Sequence, residues 1–238
     1  MSRKSPKSSL PSEQLLIAWQ SASLLLNYPD EALVDRLETV GTAARQLPAN
    51  VGAGLLEFVD YLRTTPLSES QPEYVETFDA RRRCNLFLTY FAHGDTRKRG
   101  MALLRFKQTY LQSGFTLDDS ELPDHLCVVL EYAALIDQEL GRQLMLDHRA
   151  GLELLRLSLR DMSSPWFSVV DAVCGTLPPL RGDERDAVSR LAAEGPPEEE
   201  VGLTPYGTPS FDPALSPPPA PSSEPKDLPM PAFRGART

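Results

Sequence analysis

The sequence predicts an all-α fold: a single-domain antiparallel helical bundle followed by a proline-rich tail. Three observations lead there. Apolar residues recur at three- and four-residue spacing through most of the chain between Leu15 and Leu177. No segment shows the strict apolar–polar alternation, bounded by turn dipeptides, that marks a strand. The connections between the helical patterns are short, which favours antiparallel neighbours.

Taken in order, residues 1–11 are basic and serine-rich and are expected to be disordered. Ser12 is placed to cap a helix over Glu13–Leu26, with Leu15, Trp19, Ala22 and Leu26 on one stripe. Asp30 caps a second helix carrying Leu33, Leu37 and Val40, whose end is bracketed by Gly41 and Pro48. A third helix is expected from Val51 to Thr64, then a loop from Pro66 to Pro72, then helix again from Glu73. From Phe78 onward two long helices are expected, joined by the polar turn His93-Gly94-Asp95-Thr96. Asn85–Phe91 is almost unbroken apolar and reads as buried helix. Gly94 can take the left-handed conformation that ends a helix. Met101 and Leu104 fall on one face of the next, with Leu103 and Phe106 on its flank.

After a loop, helices are expected over Leu126–Leu140, over Arg142–Met162 and from Pro165 to Pro178, the last capped by Ser163-Ser164. The helical domain therefore spans 12–180, with a possible short helix within 181–194. Fourteen of the 22 prolines lie from Pro178 onward. The segment 195–238 has too little apolar surface to offset about 1–2 kcal/mol of backbone entropy per residue and is expected to be disordered.

Composition narrows the function. The chain of 238 residues carries a formal charge of −9, which disfavours nucleic-acid partners. No apolar run approaches the ~18 residues of a bilayer span, so no direct membrane insertion is expected. No signal-type apolar core follows the basic N-terminus, which places the protein in the cytoplasm. Cys84, Cys127 and Cys174 are odd in number and far apart, each in an apolar pattern. They read as reduced packing thiols, not as a disulfide frame or a zinc site. No phosphate loop, HExxH or CxxC motif is present, so neither an enzyme nor a cofactor is indicated.

The string FDARRRCNLFLTYFAHGDTRKRGMALLRFK from Phe78, followed by ELPDHLCVVLEYAAL from Glu121, closely resembles the NarJ family. These are system-specific chaperones that assemble the molybdenum-containing respiratory nitrate reductase. The similarity runs from about Leu15 to about Leu177. The resemblance implies a helical bundle of the TorD/NarJ type. It also implies a partner: the N-terminal peptide of the apo catalytic subunit, held until the molybdenum cofactor is inserted. The chaperone would not be part of the final enzyme. A generic helical interaction or regulatory module with another client is the alternative reading of the residues.

Three groups are candidates for the client-peptide site. Pro123, Asp124 and His125, with Glu121 nearby, stand at an expected helix start. There they are either an ordinary helix N-terminus or a polar pair facing a groove. In sister branches of the family an Asp–His pair at the corresponding helix start is linked to leader-peptide binding, and Asp124 and His125 match it. His125 would then titrate near neutral pH. The aromatics Tyr74, Phe78, Phe87 and Tyr90 are core or groove wall. Arg83 belongs to a basic cluster, Arg81-Arg82-Arg83 with Arg97-Lys98-Arg99, that is either a solvated face or an acidic-patch reader. Its pairing with Asp79 at i,i+4 is the plainer role.

Overall fold

The computed structural model describes residues 10–118 and 121–197. It divides after Glu199, and everything from Glu200 onward lies outside the described residues, as does nearly all of the expected disordered tail.

Among the described residues the fold is all-helical, with one isolated antiparallel bridge and no strand. The helices are α1 (Ser12–Leu25), α2 (Glu31–Ala44), α3 (Ala49–Thr64), α4 (Leu67–Phe78), α5 (Tyr90–His93), α6 (Arg97–Gln112), α7 (Leu126–Leu135), α8 (Gln138–Asp147), α9 (Arg149–Asp161), α10 (Phe167–Thr176) and α11 (Gly182–Glu194). None is long and apolar enough to cross a membrane.

The core forms around α1 and α10. α1 packs on α7, α10 and α2, and α10 also meets α3 and α9. Trp19 is fully buried, and its indole N–H donates to Thr176 Oγ1 at 2.8 Å, so the largest α1 side chain leaves no unpaired polar atom. A charged seam joins α9 to α10. Arg149 and Arg156 both pair with the buried Glu153, and Arg156 reaches Asp171 at 2.9 Å. Nothing in the periodicity announced that seam. The three cysteines are buried and unpaired. Burial raises Cys84 to about 11 against the opposing pull of Arg81, and it raises Cys127 and Cys174 as well.

Several expected boundaries move, each for a physical reason. Ser12 is the first residue of α1 and donates to Gln138 Oε1 instead of capping. Asp30 does cap α2, accepting from Leu33 N at 2.7 Å. The Pro66–Pro72 loop is helix: α4 starts at Leu67 and contains Pro72. The carbonyl that Pro72 cannot satisfy belongs to exposed Ser68, where water can reach it, while Ser70, Tyr74, Thr77 and Phe78 are buried along the helix.

The expected helix over Arg142–Met162 is two helices, broken at His148. Leu144, Leu152, Leu155 and Leu159 keep one stripe across the break, so the period gave no warning of it. The helix from Leu126 also stops early, and Asp137 caps α8 by accepting from Leu140 N. This corner depends on Gly141, where a Cβ would lie 2.5 Å from the Ala133 Cα. Finally, Ser163 takes φ 55° and Ser164 makes no cap. α10 begins at Phe167, after a turn through Pro165 and Trp166.

The largest departure is the apolar run before Phe91. It is not the first of two long helices. After a short 3-10 turn over Arg82–Cys84, the chain is extended at Asn85, bridges at Phe87 and then turns through Leu88 and Thr89 into α5. Cys84, Leu86 and Leu88 point inward while Asn85 and Phe87 stay half-exposed, a period of two. Asn85 Oδ1 accepts from Phe87 N at 2.7 Å, a local bond that competes with helix formation.

Candidate functional site

The extended segment is held by backbone bonds to the residues just before α7. Leu88 N donates to Asp124 O at 3.0 Å, and Leu126 N donates to Leu86 O at 2.8 Å. Phe87 and His125 form the single bridge, with their rings 5.1 Å apart and near perpendicular.

Asp124 locks this pairing from beneath. Its side chain is fully buried, not at a groove surface. Oδ2 accepts from Thr89 N at 3.1 Å and from Thr89 Oγ1 at 2.5 Å. Arg99, from the first turn of α6, stands 3.7 Å from the same oxygen, donates to Thr89 Oγ1 at 3.3 Å and pairs with Asp95 at 3.2 Å. Its guanidinium also lies over Phe87 at 5.2 Å and Tyr90 at 5.9 Å. One arginine thus ties the extended segment, α5 and α6 together.

Above this network opens a cleft of about 570 Å³, within the range of small-ligand pockets. Phe78, Phe87, Tyr90 and Leu122 supply its apolar wall. Arg81, Arg82, Arg99, Asp79, Asp95 and Asn85 supply its polar lining, with Arg99 and Asp95 already paired. Arg82 fixes one edge, donating to Tyr90 Oη at 2.8 Å and to the Pro197 carbonyl at 3.1 Å. Gly94, at φ 56°, lets the Pro197 carbonyl pass where a Cβ would collide with it.

The sequence candidates separate accordingly. Phe78, Phe87 and Tyr90 line the cleft. Tyr74 is buried one layer behind, 4.7 Å from the Phe78 ring, with its hydroxyl donating to Leu26 O. Pro123 is buried and accepts from Tyr110 Oη through its carbonyl. Glu121 is exposed at the rim beside Leu122. Arg83 is exposed and lies toward Gly195, outside the cleft, and it is Arg81 that pairs with an acid of α4, Glu76. Asp124 and His125 precede α7 and lie behind the lining, Asp124 against Thr89 and Arg99 and His125 against the Phe87 ring, instead of facing the cleft. Arg82 and Arg99 belong to the basic cluster singled out from the sequence, whereas Thr89, which anchors Asp124, was not singled out. The signal for Arg99 was its i,i+4 spacing from Asp95.

Burial pushes His125 below its ordinary value of 6.5, against opposing pulls from Glu121 and Asp124. It is therefore harder to protonate than the ordinary imidazole expected at this position. His148, packed on Phe106 and bonded to the Leu88 backbone, is lowered for the same reason, with Asp147 and Asp124 opposing. The folded chain thus holds two neutral imidazoles that the unfolded chain protonates more readily. Stability from this source is full above about pH 6.5 and falls as pH drops through the unfolded value toward the folded ones. Thermal unfolding measured from about pH 7 to about pH 5 should show a falling midpoint. A His125→Gln, His148→Gln double change should flatten part of that slope, and an unchanged slope would remove the histidines from the account.

Among the described residues, no group of three or more His, Cys, Asp or Glu side chains is placed to hold a metal ion. The described residues thus form a helical protein that carries an aromatic and arginine-lined cleft backed by the Asp124–Thr89–Arg99 network. The family described as nitrate reductase delta subunit matches residues 44–171, more than half of the chain. The probable nitrate reductase molybdenum cofactor assembly chaperone NarJ of Bacillus subtilis is 30% identical over 162 residues, covering 68% of this chain and 88% of that protein. The chain belongs to the nitrate reductase delta subunit family, as the NarJ resemblance implied.

Two further relatives match over less of their own length. The nitrate reductase-like protein NarX of Mycobacterium tuberculosis is 38% identical over 165 residues, which is 67% of this chain and 24% of NarX. The probable assembly chaperone NarW of Escherichia coli is 32% identical over 151 residues, 63% of each chain. This chain therefore spans about a quarter of NarX and under two thirds of NarW. A solved structure of a redox enzyme maturation protein from Archaeoglobus fulgidus aligns with TM-score 0.49 and 23% identity, over 79% of this chain and 99% of that one.

Proposed function

We propose that the protein is a system-specific chaperone of respiratory nitrate reductase. It binds the N-terminal segment of the apo catalytic subunit in the cytoplasm, permits insertion of the molybdenum cofactor, and is absent from the finished enzyme. The observation that carries this reading is the cleft over Asp124. A wall of Phe78, Phe87, Tyr90 and Leu122 suits the apolar face of a short helix, and such a groove supplies most of the affinity in helix-in-groove recognition. The names of the NarJ and NarW relatives support the choice of client.

Charge in the cleft comes from Asp79 and Asp95 set against Arg81, Arg82 and Arg99, with Glu121 at the rim. Asp124 contributes by holding the wall in place. A helix ordered on binding loses entropy, which keeps affinity moderate and release accessible.

A synthetic peptide from the client's N-terminus, titrated into the full chain by calorimetry, should bind in the micromolar range, roughly −8 kcal/mol. The heat-capacity change should be negative. Phe87 is half-exposed, so Phe87→Ala should leave the helical circular dichroism intact while weakening binding roughly tenfold, about 1.4 kcal/mol. No binding by the unaltered protein would refute the client-peptide reading. Binding indifferent to Phe87→Ala would move the site elsewhere on the molecule.

A further inference from the structure

α6 buries the face opposite to the one its sequence suggested. Ala102, Phe106 and Tyr110 point into the core. Met101, Leu104 and Leu111 point out and are 64%, 47% and 59% exposed. On a helical projection these three make one line about 15 Å long. Arg97 extends the line at its N-terminal end, and Lys98 and Arg105 flank it; all three are exposed. None of the three has an ion-pair partner among the described residues. The helix contains no Asp or Glu, in a chain of net charge −9. The one α6 arginine with acidic partners, Arg99, is turned inward to Asp95 and Asp124.

We propose that the outer face of α6 is a docking surface for an anionic lipid bilayer. An exposed apolar line bordered by cations is the pattern of helices that lie in the headgroup region, with apolar side chains at the acyl boundary and basic ones among the phosphates. The face suits a flat surface better than a second peptide. Met101, Leu104 and Leu111 line neither the aromatic cleft nor the cavity beside α9 and α11, so neither of those grooves holds a partner helix against this face. Three apolar side chains give weak, reversible attachment, not anchoring. The acidic remainder of the chain helps to orient the encounter, because this face is drawn toward negative charge. The surface is separate from the cleft and does not depend on the client-peptide reading.

Flotation of the full chain with vesicles tests it. Retention is expected on phosphatidylglycerol–phosphatidylcholine vesicles, falling steeply with added salt, and little on phosphatidylcholine alone. An Arg97→Glu, Lys98→Glu, Arg105→Glu variant should lose on the order of a hundredfold, since each basic residue near an anionic surface is worth about fivefold. A Met101→Glu, Leu104→Glu variant should lose about tenfold or more. All five positions are exposed, so circular dichroism and client-peptide affinity should be unchanged in both variants. Equal retention on neutral and anionic vesicles, or retention unaffected by either variant, would overturn the proposal. So would binding to an acidic polypeptide such as polyglutamate without binding to vesicles, which would assign the face to a protein.

Discussion

Asp124→Ala is expected to cost about 2–4 kcal/mol and to loosen the cleft wall before it unfolds the bundle. The carboxylate is fully buried and holds both the amide and the hydroxyl of Thr89. Charge-assisted bonds of this kind are each worth about 1.5–3 kcal/mol. Alanine strands the Thr89 donors and leaves Arg99, 15% exposed at its side chain, with Asp95 as its remaining ion-pair partner. Set against a typical domain stability of 5–15 kcal/mol, roughly 3 is a large fraction. Asn in place of Asp124 should recover about half of the loss, because its oxygen still accepts from Thr89 N while its amide meets Arg99 unfavourably. Urea unfolding gives the total. Amide exchange at Leu88 and Thr89 gives the local part and should rise more than exchange in α1 or α10. An unfolding midpoint within error of the parent, with Leu88 and Thr89 still protected, would show that the extended segment is held by its backbone bonds alone.

The same residue shows where sequence reading stops. Pro123-Asp124-His125 is a recognisable string, and the position of a helix start just after it was legible. Whether the Asp faces a groove or the core was not, because both arrangements satisfy the same local rules. The answer depends on Thr89 and Arg99, 35 and 25 residues earlier in the chain. The run around Leu86 was ambiguous for another reason. A short apolar stretch fits a buried helix and a buried extended segment equally well, and only the Asn85 side-chain bond and the pairing with residues 124–126 decide between them. In α6 two stripes competed. The structure buries the one with Phe106 and Tyr110, where the Tyr110 ring lies 4.5 Å from Tyr132 and aromatic area outweighs that of Met101 and Leu104. By contrast α2, with its Asp30 cap and single stripe, was readable almost to its ends, because every signal there is local.

Trp166→Ala is expected to be the most damaging single change, about 3–5 kcal/mol, and to reach the cleft as well as the core. Trp166 has no exposed surface and precedes α10 at the turn that starts it. Its ring lies 5.5 Å from Phe58 and Phe78, 5.6 Å from Tyr74 and 6.0 Å from Tyr61, so it joins α3 to α4 across the start of α10. Phe78 is both a Trp166 neighbour and a cleft-lining residue, which gives the cavity a path to the peptide site. The indole N–H makes no hydrogen bond among the described residues, so ring volume is what the site uses. Trp166→Phe should therefore keep most of the packing and cost only about 1–2 kcal/mol, with peptide affinity close to the parent. Trp166→Ala should lower both the denaturant midpoint and, measured at a temperature where the variant stays folded, the peptide affinity. If Trp166→Phe proved as damaging as Trp166→Ala, the indole N–H would have to carry a bond that the packing argument leaves out. If Trp166→Ala lost stability while peptide affinity held, Phe78 would not depend on its backing, and the cleft wall would be set by α4 alone.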